Sequence, residues 1–173
     1  MSVHIIIDGY NLIRQSNSFS DIDRQDIQLG REALLDTLVS YRRIKRHKIT
    51  VVFDGTNAPT FSQPENRVKG IKVKFSRSGE LADSVIKRMV SREREKALVV
   101  SSDRDVVNFS ASKGAATIPS SDFEQKIAMT IYMDKKGVES EDDGGWVPTT
   151  KKKGPSKRLS KRKRRNRIKV RKL

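Results

Sequence analysis

The sequence predicts an α/β sandwich with a mostly parallel central sheet, and three observations predict it. Val3 to Ile7, Ile49 to Phe53 and Ala97 to Val100 are short, rich in β-branched residues and almost continuously apolar, as strands covered on both faces are. The stretches between them carry apolar residues at helical spacing, which makes βαβ units. An aspartate follows each run: Asp8, Asp54 and, after two serines, Asp103.

Val3 to Ile7 is the first strand. Ile27, Leu34, Leu35, Leu38, Val39 and Tyr41 then mark a helix over Asp26 to Arg46, and Ile49 to Phe53 returns as the second strand. Ile71 to Phe75 alternates Ile, Lys, Val, Lys, Phe, the period of a half-exposed strand. Leu81, Val85, Ile86, Met89 and Val90 lie on one stripe of a helix over Glu80 to Arg94. After the strand at Ala97 come a short helix over Arg104 to Ser112, a short strand over Ala115 to Ile118 and a last helix over Ser121 to Met133. Apolar patterning then stops. Residues 134–150 are acidic and glycine-bearing and read as a linker, and residues 151–173 as a basic tail with too few aliphatic side chains for a core.

The charge is divided in the same way. Of the 37 Lys and Arg, 14 lie in residues 151–173, which hold no Asp or Glu; the rest of the chain has 23 basic against 21 acidic residues, a net +2. A nearly neutral domain therefore carries a polycationic tail, expected to be disordered and to bind RNA phosphates by counterion release. Its candidate contacts are Lys151, Lys152, Lys153, Lys157, Arg158, Lys161, Arg162, Lys163, Arg164, Arg165 and Arg167. The tail has no aromatic residue, so base stacking is not its method. With no cysteine in the chain, disulfides, zinc-thiolate centres and thiol nucleophiles are excluded. The first apolar run ends at Asp8, far short of the roughly 20 residues that span a membrane. A cytoplasmic location is expected, with a nuclear address as the rival reading of the tail.

In open α/β sheets ligands bind beyond the carboxyl ends of the strands. Parallel strands put Asp8, Asp54 and Asp103 on one such edge, and Asp83, in the first turns of its helix, can project toward it. Each has an ordinary alternative. Asp8, Asp54 and Asp103 suit a turn or helix cap, and Asp83 could pair with Lys87 at i, i+4. As a group they repel one another unless a divalent cation lies between them. Oxygen-only ligands point to Mg²⁺ or Mn²⁺, and such an ion suits phosphoryl chemistry without a nucleophilic side chain. His4 and His47 read as structural or solvated.

The runs Ile5-Ile6-Ile7-Asp8-Gly9-Tyr10-Asn11-Leu12, Val51-Val52-Phe53-Asp54-Gly55, Glu80-Leu81-Ala82-Asp83 and Val99-Val100-Ser101-Ser102-Asp103-Arg104-Asp105 together resemble the NYN branch of the PIN-like nucleases, most nearly its YacP-like group. The four motifs fall in the expected order within residues 3–133. The resemblance implies a PIN-like three-layer sandwich and an endoribonuclease, in some members one that acts at the ribosome. It places the acidic metal site on Asp8, Asp83 and Asp103, with Asp54 a further member and Asn11 a polar neighbour orienting ligand or water. Ser102 and Asp105 are weaker candidates, a possible phosphate or carboxylate contact and a possible second acid. The basic tail departs from the group's pattern on this reading.

Three other readings compete with it. A noncatalytic RNA-binding or ribosome-associated module on the same fold would lack metal-dependent turnover. A haloacid-dehalogenase-like phosphatase needs Asp-x-Asp where this chain has Tyr10, and Rossmann or P-loop folds need glycine-rich loops where Gly9 and Gly55 stand alone.

Overall fold

In a computed structural model, described over residues 3–55, 65–137 and 160–173, the chain forms a six-stranded sheet between helical layers. The elements are β1 (His4–Asp8), α1 (Gly9–Gln15), α2 (Asn17–Gln25), α3 (Ile27–Lys45), β2 (Lys48–Phe53), β3 (Glu65–Val68), β4 (Ile71–Phe75), α4 (Ala82–Glu93), β5 (Ala97–Val100), α5 (Arg104–Ser112), β6 (Ala116–Ile118), α6 (Ser120–Lys135) and α7 (Lys161–Arg171). The strand order is β3-β4-β2-β1-β5-β6, and only β3 runs antiparallel to its neighbour. Among the described residues no helix is long and apolar enough to cross a membrane.

Alternation along the strands builds the three layers. Ile5, Ile7, Val51 and Val100 share one core with Leu34 and Leu38 of α3 and Phe123 and Ile127 of α6. Ile6, Val52 and Val99 face the other side and pack on Val85, Ile86 and Val90 of α4 and Val106 of α5. With both faces covered, the continuous apolar runs follow directly.

Three short elements escaped the sequence reading. Helices α1 and α2 fill the stretch before Ile27, and β3 pairs its polar Asn66 and Arg67 with Val73 and Lys72 of β4. The larger difference is at the C-terminus, where the expected disordered tail is ordered over residues 160–173. Ser160 caps α7 by accepting the Lys163 N–H at 3.3 Å, and Leu173 is 4% exposed in the main core. The Asn166 amide accepts from the Thr117 N–H at 2.7 Å and donates to the Thr117 carbonyl at 3.2 Å. It thereby satisfies the open edge of β6, which would otherwise offer itself to another strand. Tyr41 donates to the Leu173 carbonyl at 3.2 Å and His47 to that of Lys172 at 3.1 Å. The other expected histidine, His4, bonds Glu93 and, at 2.8 Å, Thr50 inside the fold. Of the expected linker, Asp134 and Lys135 belong instead to the last turn of α6, while residues 138–150 and the basic residues Lys151, Lys152, Lys153, Lys157 and Arg158 lie outside the described residues.

Candidate active site

The parallel sheet delivers its strand ends to one edge, and the motif residues gather there. Asp8 closes β1 and caps α1: its Oδ1 accepts the Asn11 N–H at 3.2 Å, and its Oδ2 accepts the Ser101 hydroxyl at 3.3 Å. Asp103 caps α5 through its Oδ1, which accepts the Asp105 and Val106 N–H groups at 2.8 and 3.0 Å. Capping and a position on the strand-end edge therefore coexist in these two residues. The two motif glycines serve packing. A Cβ at Gly9 would stand 2.3 Å from the Phe53 ring, and one at Gly55 would stand 1.9 Å from the Ser76 carbonyl oxygen, so the backbone beside Asp8 and Asp54 tolerates no larger residue.

Asp8, Asp54, Asp83 and Asp103 line one open cleft of about 520 Å³, with Asn11, Tyr10 and Arg14 on its walls. Burial, with Asp83 and Asp103 nearby, pushes the Asp8 carboxyl up to about 6. Burial also raises Asp83, which feels Asp103, Asp105 and Asp54 as further negative charges. The mutual repulsion expected of clustered acids is therefore present. The surface alternative for Asp83 is not realised, because Lys87 pairs with Asp105 instead. That ion pair makes Asp105 a first-turn partner of a lysine beside the cleft. Ser102 accepts the Ser120 N–H at 3.1 Å and so ties β5 to α6.

Asn11 has a definite structural role. Its Oδ1 accepts the Ser102 N–H at 2.8 Å and the Ser120 hydroxyl at 2.7 Å, so it joins the ends of β1 and β5 to the start of α6. Ser101, a motif residue with no role assigned from sequence, is fully buried and links the two acids by donating to Asp8 while accepting the Asp103 N–H at 3.1 Å. Its signal was the hydroxyl two residues before the aspartate at the end of an apolar run. Arg14 also went unassigned, since it sits on the unforeseen α1.

The profile of the YacP-like NYN domain matches residues 5–172. The chain belongs to that family. The match runs into α7, so the basic C-terminal helix falls within the family domain and is no departure from it. Two crystal structures of Rae1 (YacP) from Bacillus subtilis share the fold of this NYN domain. One is 20% identical, with a TM-score of 0.66 and 80% of each chain covered. The other, a mutant form, is 19% identical, with a TM-score of 0.64, 78% of this chain and 80% of that chain covered. Curated proteins give no match.

The donors of this NYN domain fit a hard divalent cation in kind: all are carboxylate oxygens, and the most buried of them is held against its own ionisation. As they stand, no three metal-ligating side chains among the described residues form a closed cluster.

Proposed function

We propose that the chain is a metal-dependent endoribonuclease. The single observation that carries this reading is the buried Asp8 facing Asp83 and Asp103 at the carboxyl edge of the sheet, with Asp54 on the same cleft. Asp8, Asp83 and Asp103 would hold Mg²⁺ or Mn²⁺, with Asp54 as a further ligand. Such an ion, when bound, supplies an activated water and charge stabilisation at the leaving oxygen.

The chain's own residues prepare the site. Ser101 and the α1 backbone fix Asp8, and the first turn of α5 fixes Asp103. Asn11 holds three elements in register and so keeps the acids' spacing. Arg14, the one cation among the described residues lining the cleft, offsets the carboxylates toward an incoming phosphate, while its guanidinium lies 5.7 Å from the centre of the Tyr10 ring. The Tyr10 hydroxyl accepts from Arg31 at 2.9 Å, which fixes that ring. The cations of α7, with Lys151, Lys152, Lys153, Lys157 and Arg158, give the RNA a sequence-independent hold. RNA on the ribosome is the target that the family resemblance suggests.

A second reading, a noncatalytic RNA-binding module, draws on the loose spacing of the acids. The test incubates purified protein with labelled RNA and with ribosomes, in Mg²⁺, Mn²⁺ or chelator. Cleavage that requires the ion supports the enzyme; binding without cleavage in any condition supports the module.

A further inference from the structure

Helix α7 does more than cover β6. Between it and the end of α5 lies a groove of about 460 Å³, separate from the acidic cleft. Ala111, Ala115 and Pro119 contribute apolar surface to it, and Arg162, Lys163 and Arg167 a cationic wall. None of these three cations makes an ion pair with a described residue. Asp122 is the one carboxylate among the described residues of the lining, so those residues carry a net positive charge.

Its place matters as much as its chemistry. The groove runs along β6 from Ala115 to Ile118 and Pro119, and so reaches the strand edge that carries the acids. The Ser101 N–H donates to the Ile118 carbonyl at 3.3 Å, and Ser120 reaches Asn11. In the sheet β6 stands two strands from β1, which is about 10 Å at ordinary strand spacing. The groove therefore lies within reach of an RNA strand seated at the cleft.

We propose that this groove is a nucleotide subsite, which holds one unpaired nucleotide of the RNA strand next to the acidic cleft. Its base lies on the apolar surface of Ala111, Ala115 and Pro119, and its phosphate on Arg162, Lys163 and Arg167. An unpaired base offers an apolar face to such a surface whatever its identity, and single-stranded segments are where proteins reach RNA bases. The groove would thus supply the preference for unpaired RNA that phosphate contacts alone cannot give. This inference rests on the reading of the cleft as an RNA-cleaving site.

The test uses the full chain carrying Asp8→Asn, so that RNA is bound and not cut. A set of short single-stranded RNAs, each with one abasic position moved stepwise along it, is titrated by fluorescence anisotropy. The expected result is one position at which losing the base weakens binding about tenfold, the equivalent of one good contact. That dip should vanish in Ala111→Leu, which fills the groove without changing charge. If Ala111→Leu fails to melt cooperatively, the double variant Arg162→Gln, Arg167→Gln, whose side chains are exposed, takes its place and should shrink the dip. A flat abasic profile, or a dip unchanged in the folded variants, overturns the subsite. Because the readout is binding, a wild-type protein that never cleaves but shows the dip loses only the nuclease reading. One that cleaves with a flat profile loses only the groove.

Discussion

The carboxyl of Asp8 is held up at about 6 by burial and by the neighbouring Asp83 and Asp103. A pKa raised on folding means that the native state binds the proton more readily than the unfolded chain does. The contribution of Asp8 to metal-free stability is therefore greatest below the ordinary value of 3.8, falls as pH rises from there through about 6, and is fully penalised above it. The shift corresponds to about 3 kcal/mol. Asp8→Asn should accordingly raise the melting temperature of metal-free protein at pH 7.5, and its advantage should shrink at pH 5. Thermal melts of the two proteins at both pH values check this, and an advantage that does not depend on pH would place its origin elsewhere. The acids themselves were legible because aspartate ends each apolar run. Ser101 and Arg14 were not, since a buried hydroxyl and a lone cation become informative only when their neighbours in space are known.

Among the elements, α7 departs most from expectation, and the reason is physical. Its docking face reads Asn166, Lys169, Val170 and Leu173, spaced three and four apart with only two apolar members, so no hydrophobic stripe announces a helix. The face works because Asn166 meets the free backbone of β6, the Lys169 ammonium reaches the Glu95 carbonyl and Arg165 pairs with Glu95. Asn166→Ala would forfeit both bonds and bare the edge of β6, at a cost of about 2 kcal/mol. A melting temperature lower by roughly 4–8 °C is expected, with more association at high protein concentration, and an unchanged melt would show that the docking contributes nothing to stability. Truncation after Thr150, which removes α7, should destabilise the domain for the same reason. Helices α1 and α2 were hidden by different means. The first is seven residues long and begins at a glycine, and the second buries only Phe19, with capping by Asp8 and Ser16 defining their starts. The strand β3 is polar because it lies at the sheet edge. The long buried strands and the helices α3 and α4 were readable, since both faces of the sheet impose a period on them.

At the scale of the whole molecule, the division of charge persists while the division of structure does not. The chain's +16 is concentrated in its last residues, yet α7 is docked on the domain and presents its cations at fixed positions. Each phosphate contact on a single strand contributes about −0.7 to the slope of log affinity against log salt. Arg164→Gln, on the exposed side of α7, should flatten that slope by about 0.7 if Arg164 contacts phosphate, and an unchanged slope would remove it from the interface. Such a change should leave the saturated cleavage rate intact, because the acids lie at the ends of β1, β2 and β5 and on α4, whereas α7 lies on β6. The central claim, that the acids gathered at the strand ends hold an ion and cut RNA, is tested most directly by single-turnover cleavage at saturating protein. Wild type is compared with Asp8→Asn and Asp103→Asn in Mg²⁺ or Mn²⁺, with binding and melting measured alongside. The account predicts ion-dependent cleavage by wild type and a fall of about 10² to 10³ in rate for each variant, with the fold and RNA affinity retained. Folded variants that cleave at the wild-type rate, or cleavage that persists in chelator, would contradict it.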